Sequence, residues 1–247
     1  MMRMSMRPRL YMEHLLMSKI LPWSHSSLSG FETCPRQYEE LKVLRNFQDE
    51  KNPASIWGDD VHKAFEAYLK KGVANPGIAE LELPHNMTQY KPYLDEYLAR
   101  PGVLLAEQEY GLDINLRPCA FLGPDVWMRG IIDVLVLDDA TGWVDDHKTG
   151  KNRKKDMQQL IIFALLAFYH HRELNVVHCA FHWLQLGAVD RETFYRHQIP
   201  AMWDTLIPKL QKYKMAFDLG IFQPKPSGLC KKHCAVQTCE YWGSGRR

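Results

Sequence analysis

The chain has 247 residues, 46% of them hydrophobic and 24% charged, with a formal net charge of +2. That length suits one large domain, or a core with a small appendage, and the composition is that of a soluble globular protein. The longest apolar run, Leu160 to Tyr169, is about half the ~20 residues a bilayer requires, which excludes a membrane-spanning helix there.

The N-terminus repeats methionine and carries arginines, without the apolar core or small-residue cleavage site of a secretory signal. Residues 1–16 are expected to be a poorly ordered or non-native extension, with Met17 the natural start. The expected location is the cytoplasm, where six cysteines stay reduced.

From Ser24 to Leu44, hydroxyl residues suited to an N-cap open a helical pattern that Pro35 breaks. Gly58 to Gly72 reads as a compact helix, with acids at its start, Lys70 and Lys71 at its end and glycine after them. Another helix is expected around Tyr90 to Leu98. After Pro101-Gly102 the pattern turns to β-branched and aromatic runs, first Val103 to Leu116 and then Val126 to Asp138. DDATG (Asp138 to Gly142) is a turn and WVDDHK (Trp143 to Lys148) the returning strand. Asp156 to Leu174 is the clearest helix, apolar on most sides. Val176 to Leu186 and Glu192 to Ile199 read as a second hairpin about the turn GAVD (Gly187 to Asp190). Met202 to Gly220 is a last helix with a kink expected at Pro208. Helices, three strands, a helix, two strands, a helix and a cysteine-bearing tail make a mixed α/β domain around a central sheet.

If the first hairpin turns at Asp139-Ala140, Asp133 faces Asp146. Alternation then puts Asp146 and Lys148 on one face. Two carboxylates crowded beside an ammonium are costly when empty and favourable around a hard cation such as Mg²⁺. A lysine beside such an ion suggests phosphoryl chemistry. The cations that follow, Lys151, Arg153, Lys154 and Lys155, with no acid between them, would hold a polyanionic backbone. The alternative is a solvated hairpin followed by a solvated lysine-rich loop.

The segments GIID (130–133), VDDHKTGK (144–151) and QLIIFALLA (159–167) resemble the PD-(D/E)XK nuclease superfamily, and within it the RecB-like exonucleases, which include CRISPR-associated and phage recombination enzymes. Gly58, His62 and Glu66 match the family's helix histidine context, and SLSGFETCPRQYE (27–39) its N-terminal helix and Cys-Pro-Arg step. The resemblance implies a restriction-endonuclease-like α/β fold with a central mixed β-sheet flanked by helices. It implies that His62, Glu107 (with Glu109 as rival), Asp133, Asp146 and the main-chain carbonyl of His147 ligate Mg²⁺ or Mn²⁺. Lys148 would position the attacking water, and Gln159 would support the site and contact DNA. Where the family often has tyrosine, Phe163 stands, keeping the packing but not the hydrogen bond.

The tail PKPSGLCKKHCAVQTCEYWG (224–243) gathers Cys230, Cys234 and Cys239 in a segment too short for its own core, where a metal staple gives cysteines a purpose. In several RecB-like nucleases the Cys-Pro-Arg cysteine, here Cys34, joins three C-terminal cysteines around a [4Fe–4S] cluster. Zinc with His233 as a ligand is the rival, although the C-x-x-C spacing usual for zinc is missing. The domains implied are a nuclease domain over 17–225 and a metal-binding tail over 226–247 that packs on the N-terminal helix. The function implied is a DNA exonuclease acting on linear or single-stranded ends in recombination, repair or phage DNA processing. It would work in the cytoplasm of a bacterium or phage-infected host, with recombination or repair proteins as partners. The alternative is a catalytically silent nucleic-acid-binding or assembly module on the same fold.

Overall fold

The computed structural model describes residues 21–49, 52–78 and 81–244. The extension expected over residues 1–16 and the start at Met17 lie outside the described residues. The helices are α1 (His25–Thr33), α2 (Pro35–Tyr38), α3 (Pro53–Ala74), α4 (Lys91–Ala99), α5 (Met157–His170) and α6 (Ile199–Leu219). The strands are β1 (Val103–Leu112), β2 (Pro118–Cys119), β3 (Met128–Asp138), β4 (Thr141–Lys148), β5 (Val176–Trp183) and β6 (Ala188–Tyr195). None of the described helices is long and apolar enough to cross a membrane. The described residues divide into two compact units, one drawn from 21–22 and from those within 52–202, the other from 23–49 and 203–244.

The first unit is built on a six-stranded sheet in the order β2-β1-β3-β4-β5-β6. Every neighbouring pair is antiparallel except β4 and β5, which run parallel. A parallel pair cannot be joined by a tight turn, and α5 is the element that carries the chain between them. It is capped by Asp156, whose side chain accepts from the backbone of Gln158 and Gln159, and Leu160 through Phe168 are all buried. On α3 and α4, Val61, Phe65, Tyr68, Leu69, Leu94 and Tyr97 form one apolar cluster with Ala106, Val134 and Val136 of the sheet. The mixed α/β architecture expected from the sequence is the one observed.

The boundaries differ in physically informative ways. Helix α3 runs from Pro53 to Ala74, with Asn52 as its cap, so both expected end glycines lie inside it. A Cβ on Gly58 would sit 3.1 Å from Thr149 Oγ1, and one on Gly72 only 2.5 Å from Leu98 Cδ1. Both glycines serve close packing instead of termination. Helix α5 ends at His170, four residues before the expected Leu174. The second hairpin turns over residues 184–187, with Gly187 at φ +57, and Ala188 to Asp190 of the expected turn are strand.

In the second unit, α1 begins at a capping box in which Ser24 and Ser27 bond each other's backbone, and Pro35 opens α2 as its first residue. A π turn, Glu39–Val43, continues α2, and α6 stays helical through Pro208. Phe31, Tyr38, Tyr213, Phe217 and Phe222 pack edge to face, and the hydroxyls of Tyr38 and Tyr213 are 2.8 Å apart.

Candidate active site

The hairpin that carries the site is paired from Asp138↔Thr141 through Val134↔Asp145, which is the expected register. Its two-residue turn puts Asp139 at φ +47, a conformation that aspartate tolerates better than most residues. One step beyond the last pair stand Asp133 and Asp146. The backbone N–H of His147 donates to Asp133 Oδ2 at 2.8 Å, fixing that carboxylate across the gap. From α3, His62 Nδ1 reaches Asp133 Oδ2 at 3.2 Å and Glu107 Oε1 at 3.7 Å. The ligand atoms of His62, Glu107 and Asp133 all lie within 4.8 Å of one another, close enough to share one cation.

Glu107 reaches this group from a distorted strand. The ladder pairs Ala106 with Val134 and Gln108 with Ile132, yet Glu107 between them has φ +50. Left-handed backbone costs an L-residue about 1–2 kcal/mol, and such strain is characteristic of functional sites. Glu109, the rival, pairs regularly with Ile131 and is absent from the group.

Asp146 and Lys148 project from the same face of β4. Lys148 Nζ is 2.6 Å from Asp146 Oδ2, a close ion pair at a buried carboxylate. Gln159, near the start of α5, joins the two: its Oε1 accepts from Lys148 Nζ and its Nε2 donates to Asp146 Oδ1, both at 2.9 Å. The ammonium also lies over the Phe181 ring, 4.8 Å from its centroid. Phe163 is buried on α5, in keeping with a packing role.

The electrostatics describe a site short of positive charge. Burial, then the neighbouring charge of Asp133, pushes the Asp146 carboxyl up to about 7, against the pull of Lys148. Burial works against a charge on His62, but hydrogen bonds that His62 donates to Asp133 and Glu107, and the fields of Asp133 and Asp146, outweigh it and raise His62 to about 10. Burial also raises Glu107. Asp133 goes the other way, because bonding to and attraction by His62 overcome its own burial. A proton on His62 and one on Asp146 thus stand where a divalent ion would place its charge. The tight His62–Glu107–Asp133 group fits such an ion; Asp146 stands outside that group, held by Gln159 and Lys148.

The His147 ring borders the site, with its Nδ1 3.7 Å from Asp133 Oδ2. It is buried among Phe65, Tyr93, Tyr97 and His182, and burial pushes it down to about 4, neutral in ordinary buffers. Asp145, which the sequence reading did not assign, accepts from His182 Nε2 at 3.0 Å and from Arg100 at 3.4 Å. Those bonds hold it low despite burial. The adjacent aspartates of β4 therefore do different work: Asp146 belongs to the site and Asp145 to a polar layer beside it. Strand alternation was the available signal; the partners of Asp145 are too distant in sequence to read.

The four basic residues after Lys148 do not act alike. Arg153 makes a bidentate ion pair with Asp190 (2.9 and 2.5 Å), and Lys155 pairs with Glu192 at 2.7 Å. Lys151 and Lys154 are exposed and make no ion pair among the described residues. In the second unit, Cys34, Cys230, Cys234 and Cys239 line one small cleft with Pro224, Lys225 and Trp242. Lys225 N donates to Cys34 Sγ and Ser227 N to Cys230 Sγ, each at 3.4 Å. Burial raises the Cys234 thiol, and Cys230, Cys34 and Cys239 add to the rise.

A mixed sheet whose β-hairpin carries Asp and Asp-x-Lys beside a His–Glu–Asp group is the framework of a nuclease with a restriction-endonuclease-like fold. The sequence model of the PD-(D/E)XK nuclease superfamily matches residues 22–240, and the chain belongs to that superfamily. Solved structures similar to it include a candidate exonuclease from Eubacterium rectale, 14% identical, covering 100% of this chain and 95% of that one, with a TM-score of 0.47. Another is SSO0001, 14% identical, covering 98% of this chain and 99% of that one, with a TM-score of 0.43. No curated protein matches the chain.

Proposed function

We propose that this protein is a metal-dependent deoxyribonuclease that acts on DNA ends. The observation that carries the reading is the juxtaposition of the His62–Glu107–Asp133 group with the Asp146–Lys148–Gln159 chain. His62, Glu107, Asp133 and Asp146 would hold Mg²⁺ or Mn²⁺, with the carbonyl of His147 as a further oxygen. The bound ion supplies Lewis acidity to the scissile phosphate and acidifies water for its attack. Lys148 orients the attacking water through its ammonium and balances the charge that grows as the phosphate is attacked. Gln159 holds that ammonium and the Asp146 carboxylate at a fixed separation. The N–H of His147 keeps Asp133 aimed inward, and the aromatic cage around the His147 ring excludes water from one side of the strand. A carboxylate cluster retained with its lysine argues against a silent binding module, since without turnover the crowding only destabilises the fold.

In the same reading, Cys34, Cys230, Cys234 and Cys239 hold a [4Fe–4S] cluster. All four thiols line one cleft, which supports a single shared group. Backbone N–H donors at two of the sulfurs are the support that ligating thiolates need.

The experiment is a time course of wild-type protein with Mg²⁺ or Mn²⁺ on 5′- and 3′-labelled linear DNA and on closed circular DNA. Progressive loss from ends with circles intact is expected. Cleavage of circles at the same rate would replace end-directed digestion with endonuclease action, and intact DNA of every form would remove the activity.

A further inference from the structure

The loop over residues 149–155 connects the two elements that carry the chemistry. It leaves β4 at Lys148 and reaches α5 at the Asp156 cap, three residues before Gln159. A loop of this kind, rich in like charges, repels itself and gains from acids that pin it down. Those acids are on β6. Asp190 Oδ2 accepts at once from Arg153 Nε (2.9 Å) and from Trp183 Nε1 (2.8 Å), while Oδ1 takes the second nitrogen of the guanidinium. Trp183 is itself the sheet partner of Lys148, so the clamp returns the loop to the level of the catalytic lysine. Two residues along the same face of β6, Glu192 pairs with Lys155, whose ammonium also donates to the Arg191 carbonyl at 3.1 Å. Arg153 and Lys155 are thereby committed to protein. Lys151, ahead of them, and Lys154, between them, are left exposed.

We propose that Asp190 and Glu192 are positioning residues that hold the 149–155 loop beside Lys148, so that Lys151 and Lys154 contact the phosphates of the substrate strand while Arg153 and Lys155 serve as anchors. This rests on the nuclease reading and assigns the substrate path within it. The consequence runs against simple electrostatics. Removing an acid from a polyanion-binding surface should tighten binding; removing an anchor releases the loop and weakens it.

The test compares wild type with Asp190→Asn and with the charge swap Arg153→Asp plus Asp190→Arg, on labelled linear DNA with Mg²⁺. KM for Asp190→Asn is expected to rise about fivefold while kcat stays within about twofold, the pattern of lost binding with intact chemistry. The swap restores the ion pair but not the Trp183 bond, so it returns KM part of the way to wild type, with an unchanged salt dependence. Lys151→Ala or Lys154→Ala each lowers the slope of log affinity against log salt by about one phosphate contact. Limited trypsin digestion reads the anchor without DNA: cleavage after Lys151 and Lys154 speeds up in Asp190→Asn and slows again in the swap. Equal or tighter DNA binding by Asp190→Asn, or a swap whose KM is no lower than that of Asp190→Asn, overturns the proposal, as does unchanged tryptic cleavage of the loop. A wild-type protein that neither binds nor cleaves DNA instead defeats the nuclease reading, and the assignment of Lys151 and Lys154 falls with it.

Discussion

Gln159 offers the sharpest single-residue test, because its amide is bonded in opposite senses at its two ends. The carbonyl accepts from Lys148 and the NH₂ donates to Asp146, both at 2.9 Å. Gln159→Leu removes both bonds with little change of shape. A hydrogen bond to a charged group is worth about 1.5–3 kcal/mol net, so two such bonds set an upper limit of ~6 kcal/mol. Lys148 and Asp146 keep each other at 2.6 Å, which retains part of that, leaving ~2–4 kcal/mol of lost organisation at the transition state, a fall in kcat of about 30- to 1000-fold. Gln159→Glu keeps the size and the acceptor for Lys148 but presses a second carboxylate against Asp146, and should lose at least as much. The assay is single-turnover cleavage of labelled linear DNA at saturating enzyme, with melting temperature as the folding control. If the Leu and Glu variants both stay within threefold of wild type, Gln159 is packing alone and the bonded chain is not the catalytic arrangement.

Proton linkage at the site should be visible in metal binding: with Asp146 at about 7 and His62 at about 10, a divalent ion displaces two protons below pH 7 and one between pH 7 and 10, so Mg²⁺ affinity rises about tenfold per unit over that upper range. Both groups are raised above their unfolded values, so the stability they contribute to metal-free protein is greatest at low pH and is lost as pH rises through those values; added Mg²⁺ should therefore raise the melting temperature more at pH 9 than at pH 6, and a pH-independent gain contradicts the assignment. Protein purified without oxygen should be brown with absorbance in the visible blue, and Cys34→Ser should lose the colour and melt lower; colourless wild type holding stoichiometric zinc refutes the cluster. Gly72→Ala, whose new Cβ would stand 2.5 Å and 2.7 Å from the two Leu98 methyls, should cost about 1–2 kcal/mol in chemical denaturation despite alanine's better helix propensity, and a stabilised variant would show that the α3–α4 contact yields.

The sequence was most legible where the chain's neighbours in space are neighbours in sequence. The turn DDATG sets the β3–β4 register, and that register alone brings Asp133 opposite Asp146 and puts Lys148 on the same face as Asp146. Helix α5 was equally plain, since nine consecutive buried residues follow a capping aspartate. Helix α3 was read too short because Gly58 and Gly72 were taken as punctuation, whereas each makes room for a side chain from elsewhere. The basic loop was read as free cations because its acids, Asp190 and Glu192, lie 37 residues downstream. Asp190 had itself been placed in a turn, and its bonds to Trp183 and Arg153 show why that position is strand. Likewise nothing local marks Glu107 over Glu109; the left-handed backbone at Glu107 distinguishes them and is a property of the folded ladder.

Isothermal titration of Mn²⁺ into metal-free wild type, Asp133→Asn, Asp146→Asn and His62→Ala tests the account most directly. Wild type should bind with an affinity that each substitution lowers by tenfold or more, while all four proteins stay folded. Binding of equal strength in every variant would mean that the crowded carboxylates of the hairpin are not where the cation sits.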